Sequence, residues 1–146
     1  MKRVALIAAL VGMVAASPGW AAGRGNCYSP SAMEAHHAIR FLTDLMVVSS
    51  ACQDTAYGEF RQRNQNAIIG YQKALIAHFR GNAAFDKWNT ALANQAAQKQ
   101  ASVPPAQFCQ QAETLRKQAS TLDAKAYHTY AAAQAAADTE NVKCRK

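Results

Sequence analysis

The chain has 146 residues, of which 50% are hydrophobic and 17% charged, with a formal net charge of +7 and four cysteines. That length fits one domain and excludes a cofactor-binding α/β domain joined to a second substrate domain; the hydrophobic fraction excludes intrinsic disorder. The hydrophobic half is mostly alanine, with 33 alanines against only eight valines and isoleucines after residue 21. Alanine is the strongest helix former and loses no side-chain entropy. The composition therefore predicts an all-α protein with closely approaching helices and a thin core.

The first segment reads as an address. Lys2 and Arg3 precede an uncharged apolar run over 4–16, and Ser17-Pro18-Gly19 breaks it. Gly19-Trp20-Ala21 has the small-x-small form of a cleavage site, so residues 1–21 are expected to be a secretory signal peptide. The apolar run is shorter than the roughly 20 residues a bilayer-spanning helix needs. Residues 22–146 are then one helical domain of formal charge +5 without a transmembrane span, expected in the periplasm or outside the cell.

Export sets the reading of Cys27, Cys52, Cys109 and Cys144. An even number in an oxidising compartment predicts two disulfides. No CxxC or CxxCH spacing occurs, and four scattered cysteines do not suit a zinc site. No metal or cofactor is expected.

Pro30 and the Ser31-x-x-Glu34 spacing open a first helix over about 31–52, with Phe41, Leu42, Leu45 and Val48 on its stripe. Asp54 or Thr55 starts a second, which runs to Phe79, is interrupted in its stripe at Asn64 and ends at Arg80-Gly81, where glycine suits a left-handed position. The third spans about 83–101 with Phe85, Trp88, Leu92 and Ala96 inward, and stops at Pro104-Pro105. The fourth starts at Pro105, and Asp123 caps a fifth through Tyr127, Tyr130 and the alanines over 131–137. These elements predict a four- to five-helix up-down bundle stapled by disulfides.

Short connections make successive helices antiparallel. Cys52 and Cys109 then fall at the same end, so Cys52–Cys109 is the favoured bond, closing a loop of about 57 residues and stabilising by about 4 kcal/mol in the chain-entropy model. Cys27–Cys144 follows by elimination, with a tension attached. If the fifth helix turned back, Cys144 would finish at the opposite end from Cys27. Either helices 4 and 5 run on in one direction, or the tails wander.

The polar residues carry weak signals for chemistry. GxSxG, HExxH and P-loop patterns are absent, and no catalytic residue is expected. His36 and His37 are adjacent and point about 100° apart. His36, Arg40 and Asp44 read as a solvated ladder with an Arg–Asp pair, and His78 as a partner of a helix dipole. His128 lies between Tyr127 and Tyr130. The most particular feature is Thr90 with Asn94, four apart on one face. With His78, they are the candidates for a buried polar contact fixing helix register, or for a ligand contact. Basic density is greatest at Arg61 and Arg63, Arg116 and Lys117, and Lys143, Arg145 and Lys146. In an exported protein that favours an acidic protein or an anionic envelope surface over nucleic acid. Gln95, Gln98, Gln100, Gln107, Gln110 and Gln111 make long uncharged polar faces suited to a wet protein interface.

Leu45-Met46-Val47 with Ala51-Cys52, then Tyr57-x-x-Phe60, His78-Phe79, Thr90-x-Leu92-Ala93-Asn94 and Phe108-Cys109, resembles a group of small exported bacterial helical proteins containing cysteine. The resemblance spans about residues 40–115 and leaves Cys144 outside it. It implies a helical fold and a disulfide rather than an activity.

These readings point to a non-enzymatic helical protein acting through protein contacts, an accessory subunit of an envelope complex such as a membrane-associated dehydrogenase. The alternatives are a small periplasmic chaperone, a ligand-binding module, or an enzyme using Thr90, Asn94 and a histidine.

Overall fold

The Ser29 hydroxyl accepts from the Ala32 N–H, and Pro30 sits at the first helical position, so the chain enters helix α1 (Pro30–Cys52) with its first turn satisfied. The computed structural model describes residues 27–144, so the leader expected over 1–21 lies outside the described residues. The remaining elements are α2 (Ala56–Arg63), α3 (Gln65–Phe79), α4 (Asn82–Ala101), α5 (Pro105–Gln111), α6 (Glu113–Thr121) and α7 (Ala124–Ala137). The all-α expectation is met. The up-down bundle of four or five helices is not: seven helices are present among the described residues, and α1 packs against each of the other six.

The reason lies in α1 itself. Its buried residues include Ala32, Ala35, Ala38, Ile39, Phe41, Leu42, Leu45 and Val48, which occupy most of the helix circumference rather than one stripe. A helix apolar nearly all round must be covered on all sides. Ala35 and Ala38 are fully buried and present only a methyl group, which allows close approach. Around them Phe60, Leu75, Phe85, Tyr127 and Ala131 complete the core. Tyr127 is buried whole, and its hydroxyl donates to the Ala38 carbonyl at 2.6 Å.

The expected second and fourth helices are each broken. The interruption at Asn64 is a one-residue break between α2 and α3. Asn64 is 1% exposed, and its Nδ2 donates to the carbonyls of Phe60 and Leu122, each at 3.1 Å. Ala112 separates α5 from α6 in the same manner. Asp123 caps α7 by accepting from the Ala126 N–H at 2.8 Å, as its position predicts. At the end of α3 the left-handed residue is Arg80 (φ 61) rather than Gly81, which follows at φ 149.

These breaks resolve the tension over the cysteines. Cys109 in α5 bonds Cys52 at the end of α1. Next, α6 lies along α2, with Arg63 Nη2 donating to the Ala119 carbonyl at 2.6 Å. Then α7 passes Phe41 and Ala38 and delivers Asp138 beside His37. So α5, α6 and α7 descend together in three short steps and bring Cys144 to Cys27. Connections of one or two residues made bends here, not hairpins. The clip is completed by two backbone hydrogen bonds, Tyr28 N–H to Val142 and Cys144 N–H to Tyr28. Two disulfides suit an oxidising compartment, and no described helix is long and apolar enough to cross a membrane.

Candidate functional site

The polar and aromatic groups gather around the first half of α1. At the Cys27–Cys144 end, Tyr28 stacks on His78 with ring centroids 4.1 Å apart. The His36 ring meets Tyr28 edge-on at 5.2 Å and Trp88 at 5.3 Å. His36 is only 7% exposed, so it is no part of a solvated ladder. Burial, and after it the charges of His37 and Arg40, push its pKa down to about 4. Its Nδ1 has no hydrogen-bond partner. A neutral imidazole held between aromatic rings is the cheapest form in which this position can be filled.

His37, on the adjacent face, reaches out of this cluster. Its Nε2 lies 2.6 Å from the Asp138 carboxylate, whose side chain is 3% exposed. Asp138 also accepts from the backbone N–H groups of Glu140 and Asn141 and from the Asn141 side chain. Those bonds, the Asn141 N–H foremost, hold its carboxyl well below the usual carboxylate range. An Asp just past a helix with polar residues two and three positions on is the pattern of an Asx turn. That signal, legible in Asp138-Thr139-Glu140-Asn141, went unused in the sequence reading.

A second cluster joins α1, α3 and α7. The Tyr71 hydroxyl donates to Glu34 Oε1 at 2.8 Å, and His128 Nδ1 contacts the same oxygen. Burial raises the Tyr71 pKa, and the Glu34 carboxylate adds to it. His128 is largely exposed, so this triad sits at the surface of the α1–α7 seam.

The candidates Thr90 and Asn94 are both exposed on the outer face of α4, away from α1. The register contact expected of them is made instead by Asn89, whose Oδ1 accepts from buried Thr43 at 3.4 Å. One residue along a helix turns a side chain by about 100°, enough to exchange core for solvent. His78 does not join them. It closes α3 as expected, but its ring stacks on Tyr28, and burial pushes its pKa down, which works against a charged partner for the helix dipole. The His36–Arg40–Asp44 ladder is likewise corrected: no ion pair within 4 Å joins Arg40 to Asp44. Arg40 and Asp44 line a cleft with Tyr130 and Gln134. Of the basic points, Arg63 donates to the carbonyls of Ala119 and Leu122, and Arg116 to Asp54 and the Cys109 carbonyl, so both close the fold.

The four cysteines pair as Cys27–Cys144 and Cys52–Cys109. Among the described residues no group of three His, Cys, Asp or Glu side chains is placed to hold a metal ion. No protein-family model, curated protein or solved structure matches the chain.

Proposed function

We propose that this is an exported, non-enzymatic helical protein that works by docking onto an acidic partner protein, as an accessory subunit of an envelope complex. The observation that carries this reading is how the fold divides its charges. Glu34, Asp54, Asp123 and Asp138 are engaged in hydrogen bonds within the chain, and Asp44 is half-buried. Arg61, Arg63, Lys73, Arg80, Lys87, Lys99, Lys117, Lys125 and Lys143 are exposed, against Glu59, Asp86, Glu113, Asp123 and Glu140. The exposed surface of the described residues is therefore net cationic, and such a surface steers association with anionic partners. Exposed Gln95, Gln98, Gln107, Gln110 and Gln111 on α4 and α5 add a face that can hydrogen-bond a partner without the desolvation cost of charge.

The test is isolation from the native envelope in mild detergent without reductant. The expected result is one large acidic protein at constant stoichiometry, lost on raising the salt or on reversing Lys87 and Lys99 to glutamate. Recovery as a monodisperse monomer with no partner overturns the reading. A ligand-binding role is the second reading, favoured by the cleft at Arg40 and Asp44.

A further inference from the structure

One cleft gathers polar side chains that have no hydrogen-bond or ion-pair partner among the described residues. It lies between α1, α6 and α7 and encloses about 320 Å³. Its wall carries Arg40, Asp44, Tyr130 and Gln134, and among the described residues none of these four side chains hydrogen-bonds or ion-pairs with another. Arg40 and Asp44 are half-buried and one turn apart on α1, so they face the same space with opposite charges. The nearest inward-facing acid is engaged elsewhere: Asp138 accepts from His37, Glu140 and Asn141. Glu140 sits on the rim, exposed. Burial pushes the Asp44 carboxyl up against the opposing pull of Arg40 and Lys99; burial first, and then the Asp44 charge, raises the Tyr130 phenol against the pull of Arg40. The three groups therefore address one volume. The remaining wall is mixed, with Phe41, Leu115 and Ala137 beside His37, Asp138 and Thr139.

We propose that this cleft binds a free α-amino acid, with its carboxylate on Arg40 and its ammonium on Asp44. An arginine fork matches a carboxylate in two parallel hydrogen bonds, and an ionised aspartate accepts from an ammonium group. The Tyr130 hydroxyl and the Gln134 amide supply further contacts to the zwitterion. The volume stands at the small end of ligand sites, which suits an amino acid. Both ligand charges are needed, because either one alone would leave Arg40 or Asp44 without its counterpart. The inference is independent of the acidic partner, since that surface lies on other side chains.

The probe is L-leucine, titrated by calorimetry and by amide NMR shifts into the oxidised protein, beside N-acetyl-L-leucine and L-leucinamide, each of which lacks one charge. Leucine is expected to bind, with shifts confined to residues 37–44, 115 and 130–138. Each blocked analogue, and each of the variants Arg40→Gln and Asp44→Asn, is expected to weaken binding by about tenfold or more, as loss of one charge-assisted hydrogen-bond set implies. Equal binding of a blocked analogue, or no shift at millimolar leucine, overturns the proposal. If either variant fails to fold, the analogue series and the shift map on the unaltered protein decide.

Discussion

His37 Nε2 and the Asp138 carboxylate lie 2.6 Å apart, tying the first third of α1 to the turn that carries the chain on to Cys144. Asp138 is the more informative partner, because its carboxyl is held below its ordinary value chiefly by the Asn141 N–H, with His37 assisting. A depressed folded-state pKa stabilises the fold above the unfolded carboxylate value of about 3.9 and loses that contribution as pH falls through the folded value. Asp138→Asn is therefore expected to lower unfolding free energy by about 1–3 kcal/mol at neutral pH. The deficit should shrink below about pH 4, where the unfolded chain takes up a proton that the folded carboxylate refuses. Urea unfolding of both proteins from neutral to acid pH checks this; a deficit independent of pH would assign the effect to the turn's shape instead.

His36 gives the same sign in a different window. Its pKa falls from 6.5 in the unfolded chain to about 4 in the fold. Above 6.5 both states are neutral there. Between 6.5 and 4 the unfolded chain takes up a proton that the folded protein refuses, so stability declines with acidity, by roughly 3 kcal/mol at most. The groups facing this imidazole are Tyr28, His37, Arg40, His78, Trp88 and Asp138. His36→Phe keeps the aromatic packing and removes both the titration and the unpaired Nδ1. The expected result is a flatter midpoint-against-pH curve over that window, with a residual slope from His78, whose pKa is lowered by burial too.

Asn64 is the linchpin of the α2–α3 break. Its side-chain amide holds the Phe60 carbonyl within α2 and the Leu122 carbonyl after α6. Asn64→Ala removes both side-chain hydrogen bonds, while the Phe60 carbonyl keeps the Asn64 N–H and the Leu122 carbonyl keeps Arg63 Nε, for a cost of about 1–2 kcal/mol. The neighbouring exposed Asn66, changed to Ala, should stay within about 0.5 kcal/mol of wild type. Equal effects in chemical denaturation would show that the break is set by local backbone preference and not by this amide.

The two disulfides should differ in what they protect. The chain-entropy model gives about 4 kcal/mol for Cys52–Cys109 and about 5 kcal/mol for Cys27–Cys144, whose sequence separations are 57 and 117 residues. Replacing Cys27 and Cys144 by serine frees the Tyr28 segment, so the Tyr28–His78 stack should loosen along with global stability. Replacing Cys52 and Cys109 should lower the melting temperature while leaving the histidine ring shifts in place. NMR of the imidazole protons beside thermal unfolding separates the two outcomes.

What the sequence determined by itself is the part governed by local chemistry. Alanine content and the periodic stripes gave helices, Pro30, Pro105 and Asp123 gave three of their starts, and cysteine placement gave Cys52–Cys109. What only the tertiary structure decided is the part that depends on a partner from another segment. Asn64 and Ala112 become breaks because carbonyls and helices elsewhere receive the bent chain, which no window of sequence around them records. The central place of α1 follows from packing on all its sides, whereas one stripe of seven positions looks the same for a central or a peripheral helix. His36 and Asp44 read as solvated until Tyr28, Trp88 and α7 covered them, and Thr90 read as inward until the rotation of α4 chose Asn89. Burial is a property of the neighbours, and it is burial that sets which polar group is neutral, which is paired and which faces an open cleft.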